Sequence, residues 1–424
     1  MEKFVIEGGL RLQGEVSISG SKNAVLPILS ATLLSKGVYR IGNVPRLNDV
    51  YTMIELLEIL GCNVKWEGEN SLVVNSEGAQ SHVAPYEIVK KMRASVLVMG
   101  PLVGRMKRAT VSYPGGCAIG VRPIDLHIEG LRKMGCDVEI KAGYVHVNGE
   151  NLKGAKISFP TKTVGGTENL MMAATLAQGE TIIENAAKEP EVVDLARMLK
   201  KMGAKIEGEG TDVIRIKGVS ELSPCEYEVI PDRIEAGTFL VACGITNGEI
   251  VIRNCVPDHM RAVIAKLREC GMEIIEKDST IFASMRRKRP IACDVSTMPY
   301  PNFPTDMQAQ FMALMCVANG VSTITENIFE NRMLHVAELK RMGADITLSG
   351  KTAIVRGVKS LSGAKVMASD LRASASLVLA GLRSSGVTEV SRIYHIDRGY
   401  ERIEEKLRAL GARIERVKDE DMGS

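Results

Sequence analysis

The strongest constraint on the fold of this chain is a short sequence pattern that occurs six times in its 424 residues. In each copy, apolar residues at helical spacing lead to a glycine, and an alternating strand pattern follows. A glycine at this point can take the left-handed backbone conformation that ends a helix. Recurrence about every 70 residues predicts an array of similar structural units, which we call repeats. The six glycines are Gly61, Gly135, Gly203, Gly271, Gly343 and Gly411.

A second shared block lies upstream of each pattern and consists of an apolar helix, a small turn and a short strand. Examples are LMMAATLAQGETIIEN and FLVACGITNGEIVIRN. Each repeat is therefore predicted to run strand, helix, strand, helix, strand, strand, which is an α/β fold. Most of these apolar helices lack a polar face, so we expect them to be buried.

The sixth repeat stops before its last strand, and the N-terminal segment EKFVIEGGLRLQGEVSIS has the pattern that is missing. We therefore predict that the N-terminal strand completes the last repeat. A chain of this length exceeds one ordinary core, and three repeats per lobe is the simplest division. The predicted first lobe is residues 19–230, and the second is residues 1–18 together with residues 231–424. The chain would cross between them near Ser19 and Ile230, where hinges would let the lobes close around a ligand.

The composition argues against several classes of partner. With 54 basic and 51 acidic residues, the formal charge of +3 creates no global field for nucleic acid or a membrane surface. The nine cysteines form no CxxC pair, which argues against a disulfide framework and a zinc site and fits a reducing cytoplasm. The N-terminus has no apolar signal segment, and the longest apolar stretch is too short to span a bilayer. We predict a soluble cytoplasmic protein.

The starts of the apolar helices carry polar residues at equivalent positions of the repeats. Acids and hydroxyls there suit helix-cap or first-turn positions, and they are Ser21, Thr167, Asp232, Asp306 and Asp370. Cations at the same ends oppose the positive end of the helix dipole, so bound anions explain them better than capping does. These cations are Lys22, Arg93, Arg233 and Arg372, and loop arginines follow at Arg122, Arg332 and Arg398. Arginine grips carboxylate and phosphate in a bidentate manner, so the pattern predicts a cleft for phosphorylated substrates.

The second repeat carries an insertion, SYPGGCAIGVRPIDLH, between a strand and a helix. Cys117 lies in it among Pro114, Gly115, Gly116 and Gly120. Such a segment cannot pack a core and is typical of a lid over a binding site. A cysteine exposed near Arg122 is expected to be reactive.

On these motifs the chain closely resembles the UDP-N-acetylglucosamine enolpyruvyl transferase family, also called the UDP-N-acetylglucosamine 1-carboxyvinyltransferases. The resemblance covers essentially the whole chain. The wider superfamily contains EPSP synthase, and the PGGC loop separates this branch from the shikimate branch. The matching motifs are GSKNA at 20–24, KMRAS at 91–95, PGGCAIGVRPIDLH at 114–127, TVGGTEN at 163–169, FPTDMQAQF at 303–311, FENR at 329–332, DLRA at 370–373 and DRGYE at 397–401.

The resemblance implies a two-lobed inside-out α/β barrel with three repeats in each lobe. It also implies transfer of the enolpyruvyl group of phosphoenolpyruvate to the 3′-hydroxyl of UDP-N-acetylglucosamine, with release of phosphate. The implied reaction is addition followed by elimination through a tetrahedral intermediate, and it is the first committed step of peptidoglycan synthesis. It implies no metal or organic cofactor and no nucleic acid or membrane partner, and we expect a monomer that acts on two small-molecule substrates.

The resemblance further implies roles for individual residues. Asp306 resembles the base that takes the proton of the sugar hydroxyl, and Cys117 resembles the donor of a proton to phosphoenolpyruvate. The catalytic set is Cys117, Asp306, Lys22, Arg398 and Asp370, although capping explains Asp370 equally well. The phosphoenolpyruvate set is Lys22, Asn23, Arg93, Cys117, Arg122, Arg332, Arg372 and Arg398. The UDP-N-acetylglucosamine set is Asn23, Arg93, Arg122, Pro123, Ile124, Asp125, Leu126, Lys162, Thr163, Val164, Gly165, Asp306 and Ile328.

Two alternatives remain open at this point. A shikimate-branch enolpyruvyl transferase is disfavoured by the PGGC, TVGGTEN and FENR motifs. An inactive paralogue that binds a nucleotide sugar and regulates another protein is disfavoured because Cys117, Asp306 and the cations are all intact.

Overall fold

The computed structural model describes residues 2–114, 119–120, 123–286 and 288–418. Contacts between Cα atoms divide these residues into two compact lobes. The first lobe comprises residues 20–114 and 123–230, and the second comprises residues 2–19, 119–120 and 231–418. No helix in the described ranges is long and apolar enough to cross a membrane.

The first lobe contains three four-stranded sheets. Their strand orders are β14-β3-β5-β4, β6-β7-β9-β8 and β10-β11-β13-β12. The strands are β3 (Val38–Gly42), β4 (Asn63–Glu67), β5 (Ser71–Asn75), β6 (Val83–Ala84), β7 (Arg108–Ser112), β8 (Asp137–Lys141), β9 (Tyr144–Asn148), β10 (Lys156–Ser158), β11 (Glu180–Glu184), β12 (Lys205–Glu207), β13 (Val213–Lys217) and β14 (Glu226–Glu228).

The second lobe also contains three four-stranded sheets, with the orders β2-β15-β17-β16, β18-β19-β21-β20 and β22-β23-β1-β24. The strands are β1 (Glu2–Glu7), β2 (Gln13–Ser17), β15 (Glu249–Arg253), β16 (Glu273–Lys277), β17 (Thr280–Ser284), β18 (Val295–Ser296), β19 (Val321–Thr325), β20 (Asp345–Ser349), β21 (Thr352–Arg356), β22 (Lys365–Met367), β23 (Val387–Ser391) and β24 (Arg413–Lys418). In all six sheets a parallel pair is followed by two antiparallel pairings. The predicted α/β fold built from six similar repeats is confirmed.

The helices alternate with these strands along the chain. Those of the first lobe are α1 (Lys22–Ala31), α2 (Asn48–Ile59), α3 (Tyr86–Val89), α4 (Met99–Met106), α5 (Asp125–Lys133), α6 (Val164–Ala174) and α7 (Pro190–Lys201), with 3-10 helices at Thr32–Leu34 and Arg93–Val98. Those of the second lobe are α8 (Arg233–Ile245), α9 (Arg261–Glu269), α10 (Gln308–Met315), α11 (His335–Arg341), α12 (Leu371–Arg383) and α13 (Ile403–Ala409), with 3-10 helices at Pro257–Met260, Thr305–Met307 and Ile393–Arg398.

One apolar helix from each repeat lies in the core of its lobe. In the second lobe α8, α10 and α12 pack against one another, and every residue of α8 is buried. In the first lobe α6 packs against α1 and α4. The expected burial of these helices is confirmed. The N-termini of these helices, which carry the polar residues, therefore lie at the edge of the core. A charge placed there is shielded from water on several sides.

The first and fourth repeats exchange their first strands. By sequence β2 opens the first repeat, yet it pairs in parallel with β15 in the sheet of the fourth repeat. Conversely, β14 opens the fourth repeat and pairs in parallel with β3. The N-terminal strand β1 lies between β23 and β24 and is antiparallel to both, so it fills the place of the strand missing from the sixth repeat.

The helix predicted to start at Arg93 is interrupted. The structure has a 3-10 helix over Arg93–Val98 and an α-helix only from Met99. Two features explain the break. Pro101 has no N–H to continue an α-helical ladder, and Gly100 N donates instead to Asn169 Oδ1 at 2.5 Å. A Cβ at Gly100 would lie 2.1 Å from Asn169 O, so only glycine permits this approach.

The repeat glycines have the backbone conformation that the sequence predicts. All six lie just after a helix and have φ between 85° and 107°. A residue with a Cβ would be strained there. This conformation turns the chain from each second helix into the closing hairpin of its repeat.

Candidate functional site

Four of the buried helices begin with a side-chain cap. Asp232 Oδ1 accepts from Ile234 N and Glu235 N, at 2.8 and 2.9 Å. Ser21 and Asp370 cap α1 and α12 in the same way. Thr167, which was predicted at a cap or first-turn position, is not the cap of its helix.

At the start of α6 the cap is Thr163, whose Oγ1 accepts from Gly166 N at 3.1 Å. Thr167 lies one turn further on and donates its hydroxyl to Thr163 O at 2.7 Å. The error arose because several hydroxyls precede this helix and the sequence does not show which one has the extended backbone of a cap.

Lys22 is the first residue of α1 and has a buried acidic partner. Its Nζ lies 3.1 Å from Oδ2 of Asp49, whose side chain is 3% exposed in the first turn of α2. A lysine at the N-terminus of a buried helix is unfavourable by itself, and Asp49 offsets that cost. Asn23 follows directly on the same turn. The helix end thus presents an ammonium group held in a defined position.

His127 joins two sequence segments that the resemblance assigns to the nucleotide sugar. Asn169 Nδ2 lies 3.0 Å from His127 Nδ1 and 3.0 Å from Val96 O. Burial, with a smaller contribution from Arg93, lowers the pKa of His127 to about 4, so the imidazole is neutral at neutral pH. Its Nδ1 therefore accepts from the amide, and its proton sits on Nε2.

The His127 ring also packs against the start of α6. A Cβ at Gly165 would lie 3.3 Å from His127 Cε1. The start of α5, which holds Asp125 and Leu126, is thereby held next to the start of α6, while Ile124 is buried. Both segments belong to the first lobe.

Lys162 pins the loop that precedes α6. Its Nζ donates to Ala186 O at 2.9 Å and to Asp212 Oδ1 at 2.6 Å. Val164, in contrast, is 37% exposed at the first position of the helix. The loop is therefore held in place at Lys162 and exposed to solvent at Val164.

In the second lobe two buried arginines hold one carboxylate. Arg332 Nη1 lies 2.8 Å from Asp306 Oδ1, and Arg372 Nη2 lies 3.1 Å from Asp306 Oδ2. The side chains of the arginines are 8% and 2% exposed, whereas that of Asp306 is 24% exposed. Burial lowers the pKa of Arg372, but Tyr400, Asp306 and Asp232 outweigh it and raise the pKa overall. Asp306 is thus ion-paired through both oxygens and remains partly exposed.

Glu326 connects this carboxylate to the loop that contains Ile328. Arg332 Nη1 donates to Thr305 Oγ1 at 2.9 Å, and Thr305 donates to Glu326 Oε2 at 2.9 Å. The other oxygen of Glu326 accepts from Thr297 Oγ1 at 2.7 Å and from Ile328 N at 2.8 Å. A buried glutamate with this many partners is fully satisfied and rigid. The loop backbone at Ile328 is therefore fixed relative to Arg332.

Asp370 has the geometry of a helix cap and one remaining oxygen. Oδ1 accepts from Arg372 N and Ala373 N at 3.0 and 3.1 Å. Oδ2 accepts only weakly from Ser369 Oγ at 3.3 Å. The neighbouring His335 is 1% exposed, and burial lowers its pKa to about 4.

Arg398 is the last residue of the 3-10 helix over Ile393–Arg398. It acts on His395 in the same helix, where burial, followed by the charge of Arg398, lowers the pKa of the imidazole. The neutral form of His395 is therefore favoured beside the positive charge of Arg398.

The predicted site residues fall into two groups. The first lobe holds Lys22, Asn23, Arg93, Pro123, Ile124, Asp125, Leu126, Lys162, Thr163, Val164 and Gly165. The second lobe holds Asp306, Ile328, Arg332, Asp370, Arg372 and Arg398. Cys117 and Arg122 lie outside the described residues. In the parts of the chain that are described, no three or more His, Cys, Asp and Glu side chains are grouped so that they could hold a metal ion.

Sequence reasoning missed several residues that organise these groups, namely Asp49, His127, Asn169, Thr305 and Glu326. His127, Asn169 and Thr305 stand inside recognised motifs, so the motifs signalled their neighbourhood but not their contacts. Asp49 and Glu326 stand outside those motifs. The side chains that they contact, Lys22 for Asp49 and Thr297 and Thr305 for Glu326, are more than 20 residues away along the chain, and only the fold brings them together.

Known proteins resemble this chain over its full length. The family model described as EPSP synthase (3-phosphoshikimate 1-carboxyvinyltransferase) matches residues 6–407. A protein of Geobacter metallireducens named UDP-N-acetylglucosamine 1-carboxyvinyltransferase is 58% identical over 419 residues, which cover 99% of this chain and 100% of the relative. A protein of Nitratidesulfovibrio vulgaris with the same name is 59% identical over 416 residues, covering 98% of this chain and 99% of the relative.

Solved structures resemble the fold. The enolpyruvyl transferase NikO from Streptomyces tendae superposes with a TM-score of 0.89 at 23% identity, covering 99% of each chain. EPSP synthase from Acinetobacter baumannii superposes with a TM-score of 0.78 at 20% identity, covering 99% of this chain and 100% of that one. At these identities the likeness shows the fold alone.

Proposed function

The chain belongs to the UDP-N-acetylglucosamine 1-carboxyvinyltransferase branch of the EPSP synthase family, and from this premise we propose how its residues carry out the transfer. The protein is a transferase that moves an enolpyruvyl group to UDP-N-acetylglucosamine. The donor is phosphoenolpyruvate, the acceptor is the 3′-hydroxyl, and phosphate leaves. The product then enters peptidoglycan synthesis.

The observation that carries the proposal is the Asp306 carboxylate between Arg332 and Arg372, at 2.8 and 3.1 Å. A sugar hydroxyl is a poor nucleophile at neutral pH, so a base must take its proton as the C–O bond forms. Two guanidinium groups keep Asp306 ionised, and its exposed surface leaves it accessible to a hydroxyl. Asp306 is the base of the addition step.

The arginines have a second role in the same step. Phosphoenolpyruvate brings a phosphate and a carboxylate, and both attract the guanidinium groups that hold Asp306 in this structure. As these anions bind Arg332 and Arg372, the carboxylate loses part of its stabilisation and becomes a stronger base. Substrate binding thus prepares the base at the moment at which it is needed.

Charge on the intermediate is stabilised by the remaining cations. Lys22, Arg93 and Arg398 hold phosphate and carboxylate oxygens while the tetrahedral intermediate forms and collapses. Arg122 belongs to the same set, although it lies outside the described residues. These contacts strengthen as charge shifts, which is the condition for catalysis.

The proton balance requires one further group. In the addition, the 3′-oxygen bonds to C2 of phosphoenolpyruvate, Asp306 takes the hydroxyl proton, and C3 gains a proton. In the elimination, C3 returns a proton to Cys117, the C–O bond to the phosphate breaks, and the phosphate leaves with the proton that Asp306 took. Cys117 supplies the proton to C3, and Asp370 assists the proton transfers through the oxygen that the helix cap leaves available.

In the first lobe, the starts of α5 and α6 are the segments that we assign to the nucleotide sugar, and in the second lobe we assign Ile328 to the same ligand. Asn23 and the segments Pro123–Leu126 and Lys162–Gly165 supply polar backbone groups, and helix N-termini bind diphosphates favourably. Support comes from the His127 contact, which fixes α5 against α6.

The family membership also underlies our proposals for the cellular compartment and the oligomeric state. The protein acts in the cytoplasm as a monomer. The cysteines support a reducing compartment, since those described are all free and all but Cys225 are buried. Light scattering of the purified protein tests the monomer, because a dimer would double the mass.

The acceptor experiment tests the proposed function. Purified protein is incubated with phosphoenolpyruvate and either UDP-N-acetylglucosamine or shikimate 3-phosphate, and phosphate release is followed. Release with the nucleotide sugar alone is expected. Release with shikimate 3-phosphate alone would contradict the proposal and favour the shikimate branch, and nucleotide-sugar binding without any release would favour an inactive paralogue.

A further inference from the structure

Behind Asp306 and Arg372 lies a buried hydrogen-bond cluster formed by Thr238, Gln310 and Tyr400, which are 1%, 0% and 1% exposed. We infer that Gln310 and Tyr400 are positioning residues for the transfer, because they fix the backbone of Asp306 and the guanidinium group that holds its carboxylate. This inference rests on the proposed role of Asp306.

The direction of each hydrogen bond in the cluster can be worked out. Thr238 Oγ1 lies 2.7 Å from Ile234 O, which is only an acceptor, so the single hydroxyl proton of Thr238 goes there. Tyr400 must then be the donor in its 2.8 Å contact with Thr238 Oγ1. Burial raises the pKa of Tyr400 against the opposing effect of Arg372, so the phenol keeps the proton that it donates. The hydroxyl is therefore locked in one orientation.

Gln310 links this hydroxyl to the catalytic turn. Its Nε2 donates one hydrogen to Asp306 O at 2.8 Å, and the other is directed at Tyr400 Oη at 3.1 Å and Thr238 Oγ1 at 3.2 Å. Its Oε1 is buried and has no hydrogen-bond partner among the described residues. An unsatisfied buried acceptor lowers stability, and an apolar side chain of similar length would avoid that cost. The placement of Asp306 explains why a glutamine stands here.

Tyr400 acts on the other side of the carboxylate. The guanidinium carbon of Arg372 lies 5.2 Å from the centroid of the Tyr400 ring. Nε and Nη2 of the same group lie 3.3 and 3.1 Å from Asp306 Oδ2. Arg372 is thus held between an aromatic ring and the base, and a desolvated cation–π contact restricts its movement.

Several charged groups around this cluster affect the ionisation of Asp306, which a pH profile of kcat/KM measures. Arg332 lies before α11, Arg372 lies on α12, and Asp232 at the start of α8 acts on Arg372. Asp306 contacts both arginines. Loosening Arg372 weakens the stabilisation of ionised Asp306 in the free protein, so the acidic limb of the kcat/KM profile is expected to move to higher pH.

The test compares Gln310→Met and Tyr400→Phe with a matched control, Ser384→Ala. Ser384 is also a fully buried hydroxyl of the second lobe, and it bonds to Gly381 O and Thr388 Oγ1 just beyond the far end of α12. A displaced base is expected to lower kcat by about ten- to hundredfold in Gln310→Met and about tenfold in Tyr400→Phe. The KM for UDP-N-acetylglucosamine should stay within about twofold, and the acidic limb should move up by about half a pH unit.

Each outcome decides the inference. All three variants are expected to melt cooperatively, and only the first two should show the kcat loss and the shifted limb. If their kcat values and pH profiles match those of Ser384→Ala, Gln310 and Tyr400 serve folding alone and the inference is wrong. If the unsubstituted protein releases no phosphate from phosphoenolpyruvate and UDP-N-acetylglucosamine, the proposed function fails instead.

Discussion

Arg372 donates to Asp306 through two nitrogens, with Nη2 3.1 Å and Nε 3.3 Å from the same carboxylate oxygen. Arg332 holds the other oxygen at 2.8 Å. Removing a carboxylate that pairs with two buried cations lowers the free energy of unfolding, because the cations would be left buried without a counter-charge. The same pair of contacts makes Asp306 ready to act as a base and sensitive to arriving anions.

Asp306→Asn is expected to lose about 10²- to 10⁴-fold in turnover, because an amide cannot accept the proton of the sugar hydroxyl. Binding of UDP-N-acetylglucosamine, followed by calorimetry, should remain measurable. Loss of binding together with loss of the folded structure would show that Asp306 is a structural acid.

Cys117→Ala is expected to fold normally and lose at least about 100-fold in turnover, because C3 of phosphoenolpyruvate no longer receives its proton. Cys225→Ala is the control, since Cys225 is half-buried in the first lobe and has no proposed role. Steady-state phosphate release measures both variants. Near-normal turnover of Cys117→Ala would refute the proton-donor role.

Two substitutions at Asp370 separate capping from catalysis. Asparagine caps helices about as well as aspartate, whereas alanine in its place costs about 1 kcal/mol of unfolding free energy. We expect Asp370→Asn to keep the melting temperature and lose about tenfold or more in turnover, and Asp370→Ala to lose both. If Asp370→Asn turns over like the unsubstituted protein, Asp370 is a cap alone.

His127 predicts a pH dependence of stability. Its pKa is about 4 in the folded chain, against about 6.5 when unfolded. The unfolded chain therefore binds the proton first, and stability present above pH 6.5 is lost as the pH falls towards 4. Urea unfolding gives the free energy of unfolding of the unsubstituted protein and of His127→Asn. The lead of the unsubstituted protein over the variant should be about 3 kcal/mol smaller at pH 4 than at pH 7. Parallel curves would show that His127 does not remain neutral and buried.

The repeats of the fold were predictable because their signals are local. A glycine such as Gly61 ends a helix through its own backbone, and the apolar residues of α8 specify burial by their spacing. The predicted boundaries near Ser19 and Ile230 assign β2 to the second lobe and β14 to the first. The strand with which each one pairs was not predictable, because a short strand carries no local mark of the sheet edge that it joins. The interrupted helix before Gly100 depends on Asn169, which is distant in sequence.

The site was predictable as a set of residue types and not as a network. The motifs identified Asp306, Arg332 and Arg372 separately, but their convergence on one carboxylate is a property of the tertiary structure. The same holds for Gln310 and Tyr400, which stand inside recognised motifs and act through contacts between different helices.

The product of the reaction tests the central claim most directly. The protein is incubated with phosphoenolpyruvate and UDP-N-acetylglucosamine, and the nucleotide product is examined by mass spectrometry and NMR while phosphate is counted. The account predicts an enolpyruvyl ether on the 3′-oxygen of the sugar, with one phosphate released for each ether formed. Phosphate accompanied by free pyruvate and unchanged nucleotide sugar, or an ether on another oxygen, would contradict it.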